Sequence, residues 1–271
     1  IDVMYENELL DVLSKEGKAP GGYCTFIPEY KYPFIFSNFN GTAGDVDVLT
    51  HEAGHAFEAY RAGKNVEISD LRDPTMEACE CHSMSMEFLT AEYHDLFFGA
   101  STKKYELYHA EDALCFIPYG CMVDEFQTRM YEHPEYTPEQ RNEVWAGLEK
   151  KYRPFLDTEG LPFFGRGAGW QRQLHIYMYP LYYIDYCMAQ TVAFQFWLLS
   201  LDDKKQAWEK YLAFVDLAGT KAAGANIHRL RCAVYNSLDT SDVGLEHSVF
   251  LTVGVRNGAS ENNTLTADTT L

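Results

Sequence analysis

From residue 45 to about 218, apolar residues recur at steps of three and four, a period that predicts a mainly helical chain. Helices are expected over 45–62, 74–98, 103–131, 137–152, 180–200 and 203–218, with Pro134, Pro162 and the glycines of 165–169 punctuating between them. Asp45 after Gly44 is a candidate N-cap for the first helix, and Gly63 a candidate stop. Asp73-Pro74 opens the second helix and Gly99 closes it. Ahead of these, residues 3–13 carry a helical pattern that runs into a basic turn. Residues 20–41 are rich in Gly, Pro and aromatics, with strand patterns at 23–28 and 33–39. The stretch 33–36 reads either as an exposed sheet edge or as part of a buried hairpin, since proline is tolerated at a strand start. No repeat recurs at 20–50 residues.

Composition narrows the classes. A chain of 271 residues, 46% hydrophobic, can bury a sizeable core. Its formal charge of −18 disfavours nucleic acid and anionic membrane surfaces as partners and is neutral toward peptides. No apolar run approaches the roughly 18 residues of a membrane span. Seven cysteines form no regular framework, and Cys79 and Cys81 point to different sides of one helix, so free thiols in a reducing, cytoplasmic setting are expected. The chain opens inside a helical pattern without Met, which points to a missing upstream region. Oligomeric state leaves no mark in the pattern.

The chemistry concentrates in His51-Glu52-Ala53-Gly54-His55. Histidines four apart share one helix face and can converge on one zinc ion, with Glu52 beside them to act on a water. Such a run also occurs by chance on solvated helices. Here Val46, Val48, Leu49, Ala56 and Phe57 surround it, so the helix is expected to be buried, and a metal would satisfy its polar groups. A catalytic zinc needs a third protein ligand from a facing element. In the next helix Glu77, Glu80, Met84 and Glu87 fall on one face. That face is either a solvated acidic stripe or a carboxylate wall turned to a cation. His82, Cys79 and Cys81 are ligands in principle, although cysteine-rich sets are usually structural.

A second constellation lies at 170–186. His175 and five tyrosines crowd into twelve residues, and Pro180 is expected to open a helix placing Tyr179, Tyr183 and Tyr186 near one face. Aromatic stripes at helical spacing are usually core, but buried phenols need partners, and a hydrolase can use them on a developing oxyanion.

The stretch from Gly21 to Leu89 resembles the oligoendopeptidase F branch of the thimet oligopeptidase family of zinc metallopeptidases. The resemblance is carried by Gly21-Gly22-Tyr23, by the run from Pro33 to Phe39, by His51 to His55, and by Glu80-x-x-Ser83-x-x-x-Glu87. It implies a mainly α, helical zincin-like catalytic domain with a small β element. It also implies Glu80 as third ligand beside His51 and His55 for one Zn2+, and Glu87 orienting a ligand imidazole, with Glu77 and Asp47 as weaker candidates for that support. His175, Tyr179, Tyr183 and Tyr186 resemble the family's substrate and oxyanion residues. The step from His175 to the first tyrosine is one residue shorter here, which leaves Tyr182 a competitor for the place of Tyr183. The glycines of 165–169 resemble a loop that closes over substrate, or form a plain connector.

The implied function is a zinc metalloendopeptidase that hydrolyses short peptides by a zinc-activated water, with Glu52 as general base. A non-catalytic zinc-binding helical module and a catalytically incomplete fragment are the alternatives. Residues 1–219 read as the catalytic region, the C-terminal half of a longer enzyme, and 220–271 as an atypical tail. From about Thr220 the family pattern is lost, for which a change of reading frame is one explanation, and from Gly258 the composition is that of a disordered segment.

Overall fold

The computed structural model describes residues 2–221. The readings made for 222–271 lie outside them. α1 (Asp2–Glu6) leads into β1 (Leu10–Leu13), β2 (Tyr23–Ile27) and β3 (Tyr32–Phe39). Then follow α2 (Gly44–Asn65), α3 (Met76–Leu89), the short α4 (Asp95–Phe98), the long α5 (Thr102–Glu132), α6 (Pro138–Tyr152), the one-turn α7 (His175–Met178), α8 (Ile184–Asp202) and α9 (Lys204–Val215). The chain is thus mainly α with one small sheet. No helix among the described residues is long and apolar enough to cross a membrane.

The sheet order is β1-β3-β2, with β1 parallel and β2 antiparallel to β3. Pro33, Ile35 and Ser37 alternate inward on β3, the period of a strand covered on one face. The cover is α2: Ile35 packs in one core cluster with Ala56 and Met4. One expectation changes here and one open choice is decided. Residues 3–13 do not form one helix, because Leu10 to Leu13 pairs with the distant β3. The stretch 33–36 lies in the central strand and pairs with β2 as a hairpin, Pro33 opposite Phe26, so of its two readings the buried hairpin holds and the sheet edges are β1 and β2.

A larger core joins α3, α8 and α9 through Cys81, Met84, Met86, Val192, Phe196 and Phe214. Another joins α5, α6 and the start of α8 around Phe126, Trp145, Trp170 and Tyr183. α5 and α6 lie within a residue of their expected bounds. A Thr137 capping box with Pro138 sets the start of α6, and Asp203 caps α9 by accepting from the Gln206 N–H at 2.9 Å. Gly63 does not stop α2; it is the flat place where the Phe26 ring of β2 rests. Asp45 is inside the first turn of α2 and accepts the Asn40 and Gly41 N–H groups of the preceding loop. α3 starts two residues after Pro74 and ends at Leu89, well before Gly99. Thr90 closes it, bonding back to the Met86 carbonyl through both its N–H and its hydroxyl.

Gly54 decides how closely α2 and α3 approach. A Cβ there would meet the His82 carbonyl oxygen and the Ser83 Cα at 2.7 Å and the Met86 Cβ at 3.0 Å. Gly54→Ala should therefore push the two helices apart and destabilise the chain by about 1–3 kcal/mol despite alanine's better helix propensity. Chemical denaturation checks this; a stabilised variant would contradict it.

Candidate metal centre and cavity

His51, Glu52 and His55 lie within five residues of α2, on the turn that Gly54 presses against α3. Glu80 comes from the facing turn of α3, buried at 4% exposure. Its Oε2 lies 3.2 Å from His51 Nε2 and 3.5 Å from His55 Nε2, and one donor atom from each of the three residues lies within 4.8 Å of the others. A tetrahedral zinc with bonds of about 2.0–2.1 Å sets its ligands about 3.3 Å apart, so this spacing fits the ion. The donor types, two imidazole nitrogens and one carboxylate, also fit a site with one open position.

The groups around the donors orient them. Glu87 bridges two imidazoles, with Oε1 2.7 Å from His51 Nδ1 and Oε2 2.9 Å from His109 Nε2. That contact leaves His51 Nε2 directed at the centre. Ser83 donates to Glu80 Oε2 at 2.9 Å, which accounts for the serine three residues on. Tyr182 donates to Glu80 Oε1. The Tyr105 hydroxyl donates to Asp47, one turn before His51. Burial opposes the charges of both Glu80 and His51. The hydrogen bonds between them and their neighbours prevail, holding Glu80 well below and His51 well above their ordinary ranges.

Glu52 is buried at 6% exposure, and its Oε2 has no hydrogen-bond partner among the described residues. Burial raises its pKa, against the lowering charges of His51 and His55. A Cβ on Gly22 would come within 3.4 Å of Glu52 Oε1, so the glycine leading into β2 passes directly beside the carboxylate. These residues open into a cavity of about 510 Å³. β2 walls one side, and Leu174, His175, Met178, Tyr179, Tyr182 and Tyr186 another.

The second constellation only partly gathers at the cavity. His175, Tyr179 and Tyr186 line it, Tyr179 at an exposed rim. Gln173 donates to His175 Nδ1 at 2.7 Å, so the ring proton sits on Nε2, which lies 3.4 Å from the Tyr186 hydroxyl. Burial lowers the His175 pKa, against the raising charge of Glu80. Tyr183 is instead buried in the core against Phe116 and Tyr119. Tyr182 takes the place at Glu80, because α8 starts at Ile184 rather than at Pro180 and Leu181 turns the chain with φ +64°. His82, an alternative ligand, is fully buried against the Phe214 ring, and Cys81 is in the core. Glu77 makes no contact with the centre among the described hydrogen bonds and ion pairs. Gly167 and Gly169 pack against α6, where a Cβ on Gly167 would meet the Asn142 carbonyl at 2.1 Å, and Gly165 packs against the Thr158 carbonyl. Sequence reasoning missed His109, Gln173, Glu58 and Asp73. Only Glu58 left a local signal, being three residues beyond His55 on the same helix face.

Two histidines and a carboxylate converging beside an unpaired glutamate give the chain the donor set and fold of a metallopeptidase. The comparisons agree and are more specific: the model of peptidase family M3 matches residues 2–229, and the chain belongs to that family, in its oligoendopeptidase F branch. The structure of PZ peptidase A with an inhibitor is 47% identical, with a TM-score of 0.82 over 89% of this chain and 45% of that one. An oligoendopeptidase F structure at 3.1 Å is also 47% identical, with a TM-score of 0.80 and the same coverage. A protein assigned as oligoendopeptidase F from Bacillus anthracis str. Ames is 43% identical, with a TM-score of 0.73 over 87% of this chain and 41% of that one. The chain thus spans less than half the length of these solved structures. No curated protein matches it.

Proposed function

We propose that this chain carries the catalytic site of a zinc-dependent oligopeptidase, with His51, His55 and Glu80 as metal ligands and Glu52 as general base. The observation that carries the reading is the unpaired, buried Glu52 Oε2 beside three donors at zinc-ligand spacing. Bound zinc supplies Lewis acidity, which polarises a peptide carbonyl and makes water acidic enough to attack near neutral pH. Glu52 accepts the proton of the attacking water and returns it to the leaving amine. The free edge of β2 offers backbone groups to an extended peptide, which would run past Gly22 toward Glu52. His175 and Tyr186 offer N–H and O–H donors to the developing oxyanion, while the Tyr182 hydroxyl holds Glu80. Burial is the main reason the two phenols stay protonated, with the Glu80 charge second. Tyr179, on the rim, is placed for contact with the bound peptide, and Tyr183 supports the wall from behind. Short peptides suit a cavity of this size. A reducing, cytoplasmic setting belongs to the same proposal, supported by the free cysteines of the described residues.

The test is hydrolysis of a quenched fluorescent peptide by the purified chain. Activity should fall to background on dialysis against a chelator and return with one equivalent of zinc. Hydrolysis that persists without metal would overturn the reading.

A further inference from the structure

Glu58 lies three residues beyond His55 on α2, so it follows the metal face by roughly 4.5 Å along the helix axis. It lines the same cavity, yet it is 94% buried by its 6% exposure, and its Oε1 has no hydrogen-bond partner among the described residues. Asp73, in the turn before α3, lines the cavity beside it and is close enough for its charge to act on Glu58. The other titratable groups that sense Glu58 are Cys24 from β2, Cys79 from α3 and Tyr211 from α9, none of them cationic. No Lys or Arg is among the described residues lining the cavity. The next cation along α2, Arg61, is held by both carboxylate oxygens of Asp216, at 2.6 and 2.8 Å. Glu80 has two histidines and Glu52 lies between them, which leaves Glu58 and Asp73 as the acids of the cavity without a counter-charge among the described residues. Burial, with the Asp73 charge second, pushes the Glu58 carboxyl up to about 8, as expected of an acid lacking a counter-charge.

We propose that Glu58 and Asp73 form a subsite for a positively charged group of the peptide, an ammonium or guanidinium, one helical turn from the metal ligands. A cation there favours the charged form of the buried acid, which gives up its proton to water, and supplies its missing partner. The subsite gives the cavity a preference for basic side chains, or for a free N-terminus, near the bond to be cut. It deepens the peptidase reading and rests on it for the identity of the ligand as a peptide.

The test measures binding by calorimetry to the zinc-loaded full chain, with Glu52→Gln in place to prevent turnover. Acetylated, amidated hexapeptides carry Arg, Lys or norleucine at each position in turn, and the norleucine peptides are also made with a free amine. At one position the basic peptide should bind about tenfold tighter or more than its norleucine match, or the free amine should beat the acetylated form; which of the two occurs identifies the source of the charge. Adding Glu58→Gln should erase that ratio while leaving norleucine peptides unchanged, and Asp73→Asn, at an exposed position, should reduce it without any folding defect. No charge preference, no peptide binding, or a preference that survives both substitutions would overturn the subsite. Hydrolysis of the same peptides by the unsubstituted chain separates the two readings. Cleavage without charge preference leaves the peptidase and removes the subsite. Charge-selective binding without cleavage leaves the subsite and removes the peptidase.

Discussion

Glu80→Ala should leave the chain folded but nearly unable to hold zinc. Among the described residues Glu80 is the only carboxylate within reach of both histidines, at 3.2 and 3.5 Å, and nothing else on α3 can replace it. Cys79 bonds toward the Pro74 carbonyl, and Cys81 and His82 face the core. Zinc binding of roughly 10–16 kcal/mol spread over four ligands gives about 3 kcal/mol per ligand, so affinity should fall by about a hundredfold or more. The fold should tolerate the change, because what is lost, the contacts to His51 and His55 and the Ser83 and Tyr182 hydrogen bonds, lies at the cavity wall. Competition with a chromophoric chelator measures the affinity directly. An unchanged affinity would move the third ligand elsewhere.

Glu52→Gln should separate the metal from the chemistry. The substitution keeps the shape of the side chain and touches none of the three donors. Zinc should stay bound at one ion per chain. Turnover should fall by about a thousandfold, since an amide cannot accept the proton of water. Stability should move the other way. Burial raises the pKa of Glu52, so the folded chain holds a proton that the unfolded chain releases. Metal-free protein therefore loses stability as pH rises from the ordinary glutamate range through the raised value. Gln removes that loss, so the metal-free variant should be at least as stable as the parent at pH 7 and less sensitive to pH above 5. A lower thermal midpoint for the variant at pH 7 would count against a burial cost stored at this residue.

How much of this was legible in the sequence depended on whether the deciding contact was local. α6 was placed by its own Thr137-Pro138 cap, and the two histidines by a spacing that any helix enforces. A candidate metal set could be named because Glu80 and Glu87 also lie on one helix face, although only the resemblance chose between the carboxylates of that face. Residues 10–13 were misread because their strand exists only through pairing with β3, more than twenty residues away. The tyrosine set turned on a single distant contact. Gln127 on α5 accepts the Leu181 N–H at 2.8 Å and holds the turn before α8, which sends Tyr182 to Glu80 and Tyr183 into the core. A helix drawn from Pro180 puts Tyr183 on the face of Tyr179 and Tyr186, and no local signal corrects it. His109 reaches Glu87, and Asp73 the cavity, only because α5 and the turn before α3 pack where they do.

The most direct measurement is zinc content and peptide turnover on the same preparations of the parent chain and Glu52→Gln. A catalytic centre at His51, His55 and Glu80 requires one zinc per chain in both, with turnover in the parent alone. Zinc absent from the parent, or equal turnover in the two at full zinc occupancy, would contradict it.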